Sequence, residues 1–333
     1  MRFEQAKVEL WQQEDYTLNA IYTQIERVAR TCYKSENNIT ETSAEEFVNR
    51  LIKNRHFAML EFGTVYLTIP TTTVNNKVIY NDQKYFRSPY ARVYKQDYNY
   101  LKKAGFTKIP KPVSLVTTNY RFIIENKLEK DLDKYLTAPS PLHPKRLTFH
   151  FVIDNGIARE FTRHRRFSFA QESSRYCNYG LNKFNNELAF INYKSIPFLQ
   201  SDKFKDFKLE DYNAIVNNVY KTIEEAYIKL IDNKVAPQFA RQVLPLGGKT
   251  ELTMSGFLKD WQLFLDLRYL GSTGNPHPYA REIAGEVYSQ IKRYLKACRY
   301  YSKEDSFIAH IEEGRKEVEE GKELPKEQVK ESN

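Results

Sequence analysis

The stretch RHRRFSFAQESSRY, residues 163–176, gathers four arginines, a histidine and three serines into one short span. Arg159 precedes Arg163 by four residues, so a helix running into the stretch would set both guanidinium groups on one face. Guanidinium forks grip phosphate in a bidentate way, and hydroxyls add further donors. With Phe167 and Phe169 interleaved, the composition suits a phosphate-bearing aromatic ligand. The competing reading is a solvated basic helix end. The segments on either side have to decide.

Immediately upstream, Leu147 to Ile153 reads as an apolar strand, after which Asp154 and Asn155 can cap a helix through Arg163. Downstream, Phe184 to Tyr193 mixes polar residues with a short apolar run. Leu209 to Asn233 has helical spacing through Tyr212, Ile215, Val219, Ile223, Ala226 and Leu230. A second helix starts after Pro237, carries Phe239, Arg241, Val243 and Leu244, and stops at Pro245 and Gly247-Gly248. Phe257 to Tyr269 is apolar on most faces, through Trp261, Leu263, Phe264, Leu265 and Leu267, which predicts burial with a buried or half-buried guanidinium at Arg268. Leu270 to Pro278 reads as a loop and Tyr279 to Tyr300 as an amphipathic helix. Beyond Ile311 the chain alternates Glu and Lys, so residues 312–333 are expected to form a charged, disordered tail.

Toward the N-terminus, Leu18, Ile21, Ile25, Val28 and Ala29 mark one face of a helix over residues 15–31. Ser43-Ala44-Glu45-Glu46 has the form of a capping box and predicts a helix from Glu45 to Asn54, with Phe47, Leu51 and Ile52 inward. Glu61 to Ile69 follows as a strand stopped by Pro70. From Thr71 to Arg146 the texture changes. It contains strand-like pieces at Val113 to Val116 and Asn119 to Ile124, a charged helix at Leu128 to Leu136, and closing prolines at 139, 141 and 144. Its limits are turn-rich, so residues 71–146 read as an insertion in a single main domain spanning 1–311.

At 333 residues, 41% apolar and 14% aromatic, the chain has the composition of a globular protein. Its net charge of +9 favours anionic partners without naming them. Cys32, Cys177 and Cys298 lie far apart, which suggests neither a disulfide framework nor a zinc knuckle and fits a reducing cytoplasm. The N-terminal residues MRFEQAKVELWQQED lack a signal-peptide core, and no run of about eighteen apolar residues occurs, so neither secretion nor a membrane is expected.

Several chemistries are excluded by spacing. Gly248-Lys249-Thr250 resembles the end of a phosphate-binding loop, but Val243 stands where that loop needs glycine. No G-x-G-x-x-G follows a strand, which argues against a Rossmann crevice. The histidines at 56, 143, 150, 164, 277 and 310 show no metal spacing, so no metal is expected. Ser168, Ser173 and Ser174 lie outside any G-x-S-x-G. What remains is an anion site of Arg159, Arg163, Arg165, Arg175 and the serines, supplemented by Arg241 and Arg268. Arginine does not accept protons near neutral pH, so such a site orients a ligand and stabilises charge developing on it, leaving the hard chemistry to a cofactor.

Arg163-His164-Arg165, seven residues, then Ser173 resembles the RHR-x7-S signature of the flavin-dependent thymidylate synthases. Four further blocks follow the order of that family. Ala29-Arg30-Thr31-Cys32-Tyr33 resembles an early segment, and His56 to Glu61 resembles its H-x-x-x-x-E. Ala240 to Pro245 resembles its A-R-x-V-L-P, and Leu265-Asp266-Leu267-Arg268 its L-x-L-R. The long 71–146 segment and the wording SFAQES are similar to an elongated subgroup.

The resemblance implies an α+β fold of mixed helix and antiparallel sheet, and reductive methylation of dUMP to dTMP. Methylenetetrahydrofolate would give the one-carbon unit, reduced FAD the hydride, and NADPH would recharge the flavin. Carried over by position, Arg268 is the catalytic residue that polarises uracil. Glu160, Arg163, Gln171, Ser173, Arg175 and Arg241 join it in binding dUMP, with Ser173 a binding hydroxyl and not a nucleophile. Arg163, His164, Arg165, Gln171, His56, Glu61 and Lys259 correspond to FAD contacts. The family also implies a homotetramer in the cytoplasm with sites assembled from several subunits, and no nucleic-acid or membrane partner. Glu160 and Gln171 exchange the Gln and Glu usual in the family, and Ala58, Phe62, Phe257, Lys259 and Leu263 replace residues that are usually polar, basic or flavin-contacting. Two other readings stand beside this one: a sequence-tolerant nucleic-acid binder, from the arginines interleaved with aromatics, and a family-shaped protein with altered catalysis.

Overall fold

In this computed structural model, which describes residues 1–75, 77–86, 88–95, 112–193, 207–297 and 303–320, the chain opens with two short strands, β1 (Arg2–Gln5) and β2 (Lys7–Leu10). Thr17 caps α1 (Leu18–Tyr33) by accepting the Ala20 amide at 3.2 Å. Ile21, Ile25, Val28 and Ala29 are buried along one side of that helix, as their spacing predicts, while Leu18 at its first position is exposed. Next comes α2 (Ser43–Lys53), which starts at Ser43 itself and not at Glu45. The expected capping box does not form. The Ser43 hydroxyl instead donates to Glu26 at 2.8 Å, because Glu26 is buried in α1 beside Arg30 and needs every donor in reach.

β3 (Thr64–Pro70), β4 (Thr72–Val74), β5 (Lys77–Ile79), β6 (Arg92–Lys95) and β7 (Val113–Asn119) follow. The strand expected at Asn119 to Ile124 is a helix, α3 (Tyr120–Glu125). Asn119 accepts the Phe122 amide at 2.9 Å, and this cap overrides the β preference of the aromatic and β-branched residues after it. α4 (Glu129–Tyr135) matches the expected charged helix. Within 71–146, β7 is the central strand of the sheet β3-β7-β6. Val116, Tyr120, Ile123 and Leu132 share a core with Ile21, Val48, Val65 and Leu67.

The second half supplies β8 (Arg146–Asp154), α5 (Asn155–Phe161), β9 (Ser168–Gln171) and β10 (Ala189–Asn192). These are followed by α6 (Leu209–Asp232), the single turn α7 (Pro237–Ala240), β11 (Lys249–Phe257), α8 (Leu258–Leu265), α9 (Pro278–Ala297) and α10 (Lys303–Glu319). Asp154 accepts the Ile157 amide at 2.7 Å and starts α5, as expected. That helix ends at Phe161, so Arg163 sits in the following turn and shares no helical face with Arg159. The tail expected beyond Ile311 is helical to Glu319. Phe307 and Ile311 are buried in the main core, and Gly314 lets Leu270 approach so closely that an added Cβ would stand 2.6 Å from it. Residues 321–333, the rest of that expected tail, and 298–300, the end of the expected last helix, lie outside the described residues.

Four strands in the order β2-β8-β11-β9 form the main antiparallel sheet, and β8 pairs with β11 from Arg146↔Phe257 to Asp154↔Lys249. On one face of β8, Leu147, Phe149, Phe151 and Ile153 pack against Trp261, Phe264, Ile283, Val287 and Ile291. The opposite face is polar yet also buried: Thr148 and Ser255 bond at 2.7 Å, and His150 meets Glu251 at 3.0 Å. The fold is thus mixed helix and antiparallel sheet, with one parallel pair, β1 with β10. Among the described residues no helix is long and apolar enough to cross a membrane.

Candidate active site

After α8 the chain winds into a wider π-helical turn, Asp266–Leu270, which ends because Gly271 takes φ 81° and donates its amide to the Asp266 carbonyl at 2.9 Å. This turn carries Arg268. Its Nη1 donates to Glu160 Oε2 at 2.9 Å, its Nη2 to the Glu160 carbonyl at 3.0 Å, and its Nε to His164 Nε2 at 3.1 Å. The guanidinium is therefore half-buried, as predicted, and fixed at three points. One N–H on each terminal nitrogen is left over for a ligand. His164 must keep Nε2 unprotonated to accept from Arg268. Burial, reinforced by the Arg268 charge, brings its pKa down to about 4. Its ring packs against Phe264, with centroids 5.0 Å apart.

A second group of residues lies where β9 ends. Gln171 Nε2 donates to Thr250 Oγ1 at 3.2 Å, and Ser173 receives the end of α1 by donating its amide to the Cys32 carbonyl at 2.9 Å. Arg175 reaches Gln238 on α7 at 3.3 Å and lies over the Tyr176 ring. Beside them opens a cavity of about 480 Å³ lined by the cationic Arg2, Arg159, Arg241 and Lys249 and by the carboxylates Glu172 and Glu187, with Ser174, Asn155 and Thr250 between. Phe184 and Phe190 contribute apolar surface. Among the described residues neither Arg159 nor Arg241 has a carboxylate partner.

The structure thus brings Glu160, His164 and Arg268 together, and separately gathers Gln171, Ser173, Arg175 and Arg241 around the β9 exit. No hydrogen bond or ion pair among the described residues links the two groups directly. The point of divergence is α5, where Arg159 lines the cavity while its neighbour Glu160 turns to Arg268. Arg163 and Arg165 are exposed in the turn after α5, Lys259 is exposed at the start of α8, and Arg166 lies 3.8 Å from Asp260, which ties those segments together. His56 is exposed. Glu61 is buried and satisfied by Arg121 at 2.7 Å. Of the positions that depart from the family pattern, Phe62 and Phe257 are buried while Leu263 is 39% exposed.

An ionic cluster that the sequence reading did not find underlies the cavity. Lys249 Nζ donates to Glu172 at 3.0 Å and Glu251 at 2.5 Å, Lys34 also pairs with Glu251, and Tyr179 donates to Glu172 at 2.8 Å. Burial alone would raise the Glu251 pKa, but His150, Lys249 and Lys34 together hold it well below the carboxylate range. Lys249 and Glu251 are two apart, which is the signal of a shared strand face, and reading 249–257 as a strand would have exposed the pair. Among the described residues no group of three or more His, Cys, Asp or Glu side chains could hold a metal ion.

A family model described as thymidylate synthase complementing protein matches residues 123–295. A probable flavin-dependent thymidylate synthase of Paramecium bursaria Chlorella virus 1 is 27% identical over 161 residues, covering 46% of this chain and 72% of its own length. A flavin-dependent thymidylate synthase of Pseudothermotoga lettingae is 30% identical over 154 residues, 44% of this chain and 65% of its own. Among solved structures, the UMP/dUMP methylase PolB from Streptomyces cacaoi bound with 5-Br UMP aligns over 89% of this chain and 92% of its own, with 16% identity and a TM-score of 0.41.

Proposed function

The chain belongs to the thymidylate synthase complementing protein family, and from that premise we propose that it is a flavin-dependent thymidylate synthase that methylates dUMP to dTMP. The observation that carries this reading is the three-point fixation of Arg268 by Glu160 and His164 beside the RHR turn. A guanidinium with two spare donors can bind the carbonyl edge of a uracil and stabilise negative charge as the ring becomes nucleophilic. Because the donors are set in advance, little reorganisation accompanies the reaction.

The second group does the binding. Arg241 and Arg175, with the hydroxyls of Ser173 and Ser174, suit a phosphate monoester, and Gln171 and Arg163 complete the set proposed for dUMP. No hydrogen bond or ion pair among the described residues joins the two groups within one chain, and a homotetramer whose copies share each site is part of the proposal.

The residues also fit a flavin dinucleotide. Arg163, Arg165 and Lys259 present exposed cationic donors on adjoining segments, a match for a diphosphate, with His164, Gln171, His56 and Glu61 as further contacts. FAD, once reduced by NADPH, would supply the hydride there, while methylenetetrahydrofolate would be the one-carbon donor. His164, neutral at physiological pH, holds Arg268 in place. The buried, unpaired thiols Cys32 and Cys177 suit a reducing cytoplasm.

An absorbance spectrum of the purified protein, followed by dUMP-dependent oxidation of its reduced flavin, tests the reading. A flavin spectrum with nucleotide-dependent reoxidation and dTMP formation is expected. A colourless protein that forms no dTMP with added FAD would end it, and steeply salt-dependent polynucleotide binding would then favour the nucleic-acid reading.

A further inference from the structure

We infer that Lys249 is a direct contact for the phosphate of the bound nucleotide, with Glu172 and Glu251 holding its ammonium at the cavity wall. The inference rests on the nucleotide reading of the preceding subsection and adds a residue outside every block of the family resemblance.

An ammonium has three N–H donors. Two of those on Lys249 are taken by Glu172 and Glu251, and Lys249 and Glu172 both line the cavity that holds Arg159, Arg241 and Ser174. Among the described residues the third donor has no acceptor, which leaves it for a ligand. Lys249 is only 9% exposed, so a charge held there acts through a medium far less screening than water. Burial by itself would push the ammonium toward its neutral form, but the two carboxylates outweigh that effect and keep it protonated.

The surrounding charges explain why the contact needs its carboxylates. Lys34 and Lys249 stand against Glu172 and Glu251, and Lys34 is also shared with Glu36 at 3.5 Å. Removing Lys249 would leave two buried carboxylates to one lysine beside a cavity meant for an anion. Glu172 also begins the loop that carries Ser173, Ser174 and Arg175, and its amide donates to the Glu251 carbonyl at 2.8 Å. Lys249, the first residue of β11, is thus tied through Glu172 to the loop whose hydroxyls would meet the same phosphate.

The decisive quantity is the ratio of affinities for dUMP and for deoxyuridine, which differ only in the phosphate, measured calorimetrically on the flavin-loaded protein. Lys249→Met is expected to lower dUMP affinity by about 10- to 100-fold, the range of a lost charged hydrogen bond, and to leave deoxyuridine unchanged. Glu172→Gln, which keeps an acceptor for Lys249 but removes a neutralising charge, is expected to raise the ratio. An unchanged ratio in Lys249→Met, equal losses for both ligands, or a loss confined to methylenetetrahydrofolate would each overturn the assignment. Should Lys249→Met fail to fold, a constant or lower ratio in Glu172→Gln overturns it as well. Failure of the wild type to bind dUMP would instead refute the nucleotide reading itself.

Discussion

Arg268 Nη1 and Glu160 Oε2 meet at 2.9 Å across a span of 108 residues, joining the π-helical turn to the helix that precedes the RHR stretch. Because the Glu160 carbonyl and His164 hold the other edge of the same guanidinium, its plane is set before any ligand arrives. Glu160→Ala should leave flavin binding intact and lower kcat by about 10- to 100-fold, the effect of losing one charge-assisted positioning bond. Arg268→Ala should retain FAD and form no dTMP. Turnover like that of the wild type in either variant would remove the pair from the proposed machinery.

For the phosphate side, Arg241→Ala and Arg175→Ala are expected to weaken dUMP binding by about 1.5 to 3 kcal/mol with an unaltered flavin spectrum. Arg175 is steadied by the neutral Gln238 at 3.3 Å. Gln238→Ala should therefore cost less, about 0.5 to 1.5 kcal/mol. Equal losses at Gln238 and Arg175 in equilibrium titrations would show that Arg175 acts on the loop and not on the nucleotide.

His164 makes a pH prediction whose sign follows from its surroundings. Burial first, and Arg268 second, lower its pKa from 6.5 to about 4. The unfolded chain therefore takes up a proton before the folded one does. The stability linked to His164 is complete above pH 6.5 and drains away as pH falls from 6.5 to 4, by up to on the order of 3 kcal/mol. His143, pushed to about 4 by burial and Lys145, adds in the same direction. Urea unfolding from pH 7 to pH 4 should show this loss, and His164→Asn, which can still accept from Arg268, should lose less. Identical slopes for the two proteins would count against the buried neutral imidazole.

Local signals carried much of this architecture. Asp154 capping α5, the face of α1 through Ile21, Ile25 and Val28, and the half-buried guanidinium at Arg268 all follow from side-chain spacing and short-range hydrogen bonds. What escaped the sequence depends on buried polar surface. β11 is sandwiched on both faces, so Lys249, Glu251, Thr253 and Ser255 alternate with Thr250, Leu252, Met254 and Gly256 without the wet face that usually marks a strand. Likewise α10 looks too charged to order, yet Phe307 and Ile311 are buried in the main core, Glu312 accepts from Tyr288 and Lys292 at 2.6 Å, and His310 meets Asp266 at 2.8 Å. The partner of Glu160 was not legible either, because 108 residues separate it from Arg268 and nothing in the spacing announces the contact.

Gly271 connects backbone conformation to the setting of Arg268 and can be tested without touching a charged group. Its φ of 81° lies where L side chains are strained, and a Cβ there would stand 3.0 Å from the Gly274 carbonyl oxygen and from Pro276 Cδ. Gly271→Ala should cost about 1 kcal/mol or more in backbone strain alone. Because the Gly271 amide closes the turn on Asp266, relief of that strain would rotate Arg268 away from Glu160 and His164. Gly274 offers the control: its φ is 138°, yet nothing lies within 4 Å of an added Cβ. Both alanine variants should lower Tm, but only Gly271→Ala should lower kcat beyond its effect on the folded fraction. If the two variants lose activity in proportion to stability alone, the turn does not set the guanidinium.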